Sequence, residues 1–400
     1  MLSVDLPGTV RDALLAPLVD HHCHGVRRDD LTRAQFELLL GGGGSASPPG
    51  TTHFDTPFGL ALRRWCAPLL DLEPHAPPAV YLARRAELGS AEVNRRLLGA
   101  AGVVAFLVDV GGADLDVLTA AEMGRHGGAA ADELVRIEHV ERDVARTADV
   151  AVDYLDNLGE ELAARATRAV ALKTVVAALC GLDFDPARPS RGAVIAAANR
   201  RLSAPKDQLT DHVLLRYVLW CAVDVARERG LPLQFHTGLG SAGETSPHPG
   251  PLTAAGPPGS AWADLHRTDP ARLSAFVAAL QPLGVPVILL GCYPFHRQAA
   301  HLAGLHPHVY VDVGLALPYT AAASARVMEE LLELAPFHKQ LFSSGCRGLA
   351  ESCLLGALYY RRALGAALAA RVRDGEWSAQ DAARIAHMIG SGNARRIYRL

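Results

Sequence analysis

The chain has 400 residues, half of them hydrophobic and a fifth charged, with a formal net charge of −3. That length can bury a large core, as one big domain or two ordinary ones. The near-neutral charge supplies no basic surface for nucleic acid or for a membrane, and no apolar run reaches transmembrane length.

From the N-terminus, the first residues carry acids and a proline where a signal peptide has a basic start and an apolar centre. The apolar run Pro17-Leu18-Val19 then leads into Asp20-His21-His22-Cys23-His24-Gly25. Side chains alternate along a strand, so His22 and His24 share one face at a strand end. Imidazole is the commonest protein ligand for zinc and related ions, and the pair predicts a divalent-metal site, with zinc as its ion.

Eight short apolar runs follow one another, separated by helical patterns. They are 17–22, 103–109, 134–138, 170–173, 231–236, 285–290, 309–312 and 340–344. Such runs predict parallel strands buried on both faces. Asp211 to Arg229 reads as an amphipathic helix closed by Gly230, and 273–280, 321–334, 349–372 and 378–389 read as helices too. The expected fold is therefore α/β, a (β/α)8 TIM-type barrel forming one domain over residues 1–400. Residues 27–100 are too long for a single crossover. With helical stretches at 60–70 and 80–98 and a glycine-rich loop at Gly41 to Ser45, they predict a helical insertion over the barrel mouth. No lysine and hydroxyl of a phosphate loop follow those glycines. Gly240 to Ser260 reads as a second mouth loop.

Functional side chains of such a barrel lie at the C-terminal strand ends. Those ends carry His22 and His24, Asp109, Glu138, Lys173, His236, Gly291, Asp312 and Gly345. Together with Arg64-Trp65-Cys66-Ala67-Pro68-Leu69-Leu70, Ala171-Leu172-Lys173-Thr174, Leu233-Gln234-Phe235-His236-Thr237-Gly238, Tyr293-Pro294-Phe295-His296-Arg297, Val311-Asp312-Val313-Gly314 and Leu341-Phe342-Ser343-Ser344, they give the chain its resemblance. Over nearly its whole length it resembles the amidohydrolase-related metal-dependent hydrolases (amidohydrolase 2), in the branch also found fused or linked to glutamine-synthetase-type domains.

The resemblance implies a metal held by His22, His24 and His236. A further histidine would end strand six, and an aspartate acting as general base would end strand eight. It also implies Lys173 as a carbamylated metal bridge or a hydrogen-bond donor to substrate. The chain departs from the pattern where Gly291 and Gly345 replace that histidine and aspartate, where Ala177 to Gly181 is apolar in place of a tyrosine-arginine pair, and at Ser241. Glycine offers neither a ligand atom nor a base.

Two functions follow. The first is a hydrolase acting on an amide-type C–N bond of a small molecule, with its base supplied by Asp312, Glu138 or Lys173; a lyase or decarboxylase on the same framework is its variant. The second is a non-catalytic relative that binds a ligand or regulates a partner, with a glutamine-synthetase-type protein as the implied functional link. Homodimers are common for symmetric soluble enzymes, which makes a homo-oligomer the expectation.

Plainer roles stand beside these. Lys173 can pair with Glu138, and Asp109 and Asp312 can cap following helices. His296 and His301 read as surface or capping groups on the helix after strand six. Trp65, Trp220 and Trp262 read as packing residues. The seven cysteines, odd in number and without a C-x-x-C pair, read as reduced thiols of a cytoplasmic protein, with Cys292 and Cys346 as small buried hydrophobes.

Overall fold

The computed structural model of the protein describes residues 5–42, 46–109, 116–239 and 265–400. Gly43 to Ser45, the whole of the second mouth loop Gly240 to Ser260 with Ser241, and Trp262 lie outside the described residues.

Seven strands form one parallel sheet in sequential order: β1 (Leu18–His24), β2 (Val103–Asp109), β3 (Ala130–Arg136), β4 (Ala171–Thr174), β5 (Leu233–His236), β6 (Val287–Leu290) and β7 (Val309–Val311). Alternation along these strands sorts their side chains into two cores. Val19, Ala105, Leu107, Leu134, Ala171, Ile288 and Leu290 form an inner cluster, which Ala394, Ile397 and Tyr398 of the last helix (Asn393–Tyr398) join. Phe106, Val108, Leu172, Phe235, Val287 and Leu289 belong to the larger cluster shared with the surrounding helices. Burying each such side chain contributes about 1.5–3 kcal/mol.

The eighth expected run makes single backbone bonds to both edges of the sheet. Leu341 N–H donates to the Val311 carbonyl at 3.0 Å, while the Phe342 carbonyl accepts from His21 N–H at 3.2 Å and the His22 carbonyl from Gly345 N–H at 3.1 Å. The sheet is thus a curled parallel one, consistent with a TIM-type barrel. Among the described residues its seven strands are joined by six continuous ladders.

Two expectations need correcting. The third strand begins at Ala130 and ends at Arg136, so Glu138 lies in the helix Ile137–Ala145. The first half of β3 is only partly buried and carries Asp132 and Glu133, so it lacks the continuous apolar run of the other strands. The thiols are also not all reduced. Cys346 and Cys353 are joined by a disulfide, their Cα atoms 4.9 Å apart, within the range a disulfide spans. Cys23, Cys66, Cys180 and Cys292 are buried free thiols.

Between β1 and β2 run the helices Arg33–Leu40, Pro57–Trp65 and Pro78–Ala100, the last interrupted at Gly89, where φ is 75°. Arg85 of this segment forms a buried ion pair with Glu351 at 3.0 Å, and Tyr81 donates to the same carboxylate. The segment is thereby tied to the long helix Ala350–Arg373. Asp211 caps the helix His212–Arg229 by accepting from Val213 N–H and Leu214 N–H, and Gly230 ends that helix with φ 65°. Among the described residues no helix is long and apolar enough to cross a membrane.

Candidate metal centre

The register of β1 against β2 explains why three histidines in four residues all serve the sheet interior. Asp20 pairs with Phe106 and Cys23 with Val108, so His21 and His22 together stand opposite Leu107. Two residues facing one is a β-bulge, which turns adjacent side chains toward the same side. His24 then regains register opposite Asp109.

His22 and His24 lie with ring centroids 5.1 Å apart, and His236 at the end of β5 places its ring 5.9 Å from that of His22. All three are buried. Donor atoms of His22, His24 and Asp109 lie within 4.8 Å of one another, a group able to hold a metal ion. His24 Nδ1 donates to the Asp109 carbonyl at 3.2 Å, which leaves Nε2 as the lone-pair atom of the neutral ring. Two imidazoles and a carboxylate suit a divalent ion by donor chemistry.

The carboxylate of Asp109 is also the anchor of a buried cationic pair. Its Oδ2 accepts from Arg136 Nε at 3.0 Å, from Arg136 Nη2 and from Lys173 Nζ at 2.8 Å. Lys173 Nζ lies 2.8 Å from His22 Nε2 as well. Arg136 and Lys173 are direct register partners of β3 and β4, which is why arginine, not Glu138, meets the lysine. The expected Lys173–Glu138 pair is therefore replaced by Lys173–Asp109. Asp109 is an ion-pair partner at a strand end, where a helix cap was the plainer expectation.

Glu138 Oε1 accepts from Thr174 Oγ1 and from Val175 N–H at 2.9 Å. Its Oε2 is shut off from solvent and has no hydrogen-bond partner among the described residues. Burial raises the Glu138 pKa above the ordinary glutamate value, against the opposing pull of the Thr174 bond. Asp312 is fully engaged in another way. Its Oδ2 accepts from His21 Nε2 at 2.8 Å and Ser343 Oγ at 2.6 Å, and its Oδ1 from Gly291 N–H at 2.6 Å. His21 Nδ1 meets Tyr398 Oη at 2.9 Å, so this network links three strand ends to the last helix.

Arg136 and His139 escaped the sequence reading, and Asp109, read at a strand end, was given no ligand role there. Arg136 was hidden by the displaced third strand. His139 is held neutral, its pKa lowered to about 3 by burial and by the nearby Arg136. His296, expected at the surface, is buried with Nε2 2.7 Å from Glu330.

The two glycine departures differ in space. A Cβ on Gly291 would lie 3.6 Å from His236 Cε1, beside the candidate donors. One on Gly345 would meet Leu315 Cγ at 2.8 Å and Leu315 N at 3.1 Å, so that position is filled rather than open. Both backbones are left-handed, with φ 63° and 57°, and share the same strain for an L residue. Gly345→Ala is thus expected to lose about 1 kcal/mol more stability than Gly291→Ala. Equal losses in equilibrium denaturation would show that Leu315 yields freely.

The amidohydrolase family matches residues 19–400 of this chain. Protein fluG of Emericella nidulans is 25% identical over 241 residues, covering 58% of this chain and 26% of its own length. The chain thus spans about a quarter of that curated relative. A protein of Lactobacillus casei provisionally assigned as a metal-dependent hydrolase superposes with a TM-score of 0.81, at 21% identity over 99% of this chain and 98% of its own. Uronate isomerase of Thermotoga maritima gives 0.63 at 13% identity over all of both chains, and glucuronate isomerase of Caulobacter crescentus 0.62 at 16% over 98% and 95%. At these identities the structural likenesses concern the fold.

Proposed function

Since the chain belongs to the amidohydrolase family, we propose that it hydrolyses an amide-type C–N bond of a small molecule with a divalent ion held at His22, His24, Asp109 and His236. The observation that carries this reading is the convergence of three buried donor residues at the C-terminal ends of β1 and β2. Zinc is the ion the nitrogen-rich set favours. Such an ion supplies Lewis-acid polarisation of the substrate carbonyl and a lowered pKa for water.

The chain's own groups handle the proton. Glu138 Oε2, desolvated and unpartnered among the described residues, takes the proton of the attacking water and returns it to the leaving nitrogen. Thr174 Oγ1 and Val175 N–H hold Oε1 and so fix the carboxyl's direction. Asp312 serves as a positioning residue, binding Gly291, Ser343 and His21. Before an ion enters, Lys173 holds Asp109 and His22 in place. A functional link to a glutamine-synthetase-type protein belongs to the same proposal, as does a cytoplasmic location.

The test is hydrolysis of a panel of small amides by the purified protein with zinc or manganese added. Metal-dependent release of amine, lost on chelation and in His24→Ala, is expected. Release that survives both would sink the reading. Saturable ligand binding without turnover would favour a binding or regulatory relative, which the filled position at Gly345 also favours.

A further inference from the structure

Lys173 Nζ makes two contacts of equal length, 2.8 Å to His22 Nε2 and 2.8 Å to Asp109 Oδ2. Both atoms belong to residues of the candidate donor group. The lysine side chain is fully buried, reaching this position from the end of β4. From this geometry we propose that Lys173 is a built-in cation of the site, which a divalent ion must displace before it can bind. The inference rests on the proposed metal-dependent reading and concerns how that site is loaded.

A neutral imidazole has a single lone pair, lying in the ring plane on its unprotonated nitrogen. In His22 that lone pair receives the N–H of Lys173, and a metal coordinated through Nε2 needs the same lone pair along the same direction. The two occupants exclude each other at this atom.

Asp109 brings one negative charge, while Arg136 and Lys173 bring two positive ones against it. The neighbouring His139 is held neutral, so it changes neither count. A divalent ion entering between His22 and Asp109 meets the like charge of Lys173 at contact distance, in a buried, weakly screening environment. Removing the lysine charge relieves that repulsion and frees Asp109 Oδ2 from the Lys173 contact.

A carbamylated Lys173 is the competing arrangement, and it makes the opposite forecast, because there the lysine is a ligand whose loss weakens metal binding. The experiment is a zinc titration of the intact protein against a chromophoric chelator, comparing wild type with Lys173→Met and with Lys173→Gln. The glutamine variant keeps a hydrogen-bonding group in place should the methionine variant fold poorly. Both are expected to bind zinc at least tenfold more tightly than wild type, and added bicarbonate is expected to leave the wild-type affinity unchanged.

Affinity unchanged or weakened in the variants overturns the inference while leaving the metal-dependent function intact. A wild-type affinity raised by bicarbonate overturns it in the same way and needs no variant. Absence of zinc binding in wild type and both variants overturns the inference and the metal-dependent function together.

Discussion

Glu138→Gln is expected to lower kcat by about 10²–10⁴-fold with little change in KM, the usual contribution of a positioned general acid–base group. Glutamine preserves the size of the side chain and can still accept from Thr174 Oγ1 and Val175 N–H through its amide oxygen. What it loses is the ability to take and return a proton. The pH profile provides an independent check. Burial holds the Glu138 pKa above the ordinary value of about 4.3, so the basic form is depleted at higher pH than for an exposed glutamate. The acidic limb of kcat/KM should fall at that raised value in wild type and vanish in the variant.

Stability separates this effect from misfolding. A carboxyl whose pKa is raised by folding contributes stability only below its unfolded pKa, and that contribution is lost as pH rises through the folded value. Above the folded value the ionised Glu138 is therefore a cost, and in that range Glu138→Gln should unfold no more easily than wild type. Full activity in the variant would remove Glu138 from the chemistry and leave Asp312 or Lys173 to be considered.

Asp109→Asn should have the largest effect on the fold, a loss of about 3–5 kcal/mol in denaturant unfolding at neutral pH. The side chains of Asp109, Arg136 and Lys173 are 1%, 6% and 0% exposed, so neither cation can turn to water when the carboxylate is neutralised. The cost is that of burying cations without their counter-charge, not the net worth of the ion pairs, which desolvation largely cancels. Adding Lys173→Met to Asp109→Asn should recover part of the loss, because one stranded charge then disappears. A double-mutant cycle reads that coupling directly. A loss below about 1 kcal/mol for Asp109→Asn, or strict additivity in the cycle, would refute the shared-carboxylate account.

Much of the site was legible because its information is local. The sequence His22-Cys23-His24 at the end of an apolar run encodes a shared face by strand alternation alone, and the rings do meet at 5.1 Å. Lys173 and His236 were found at strand ends for the same reason. The plan of parallel strands was readable from run after run of apolar residues, and the seven strands follow it in order. The misplaced third strand shows the limit of that signal. Residues 130–133, two alanines followed by two acids, are at least partly exposed, yet they pair with β2 through backbone bonds that carry no side-chain signature. That one displacement hid Arg136 and assigned the lysine the wrong carboxylate.

Membership of the family, the succession of strands and the histidines at the first strand's end are thus determined by the chain's own pattern, since each depends on neighbours within a few residues. The bulge that turns both His21 and His22 inward, the meeting of Asp109 with Arg136 and Lys173, the sequestration of Asp312 by Gly291, Ser343 and His21, and the Cys346–Cys353 disulfide were decided only in three dimensions. The physical reason is register. Spacing along one strand states which way a side chain points, but which side chain it meets depends on how neighbouring strands slide against each other, and that is set by the packing of the whole sheet.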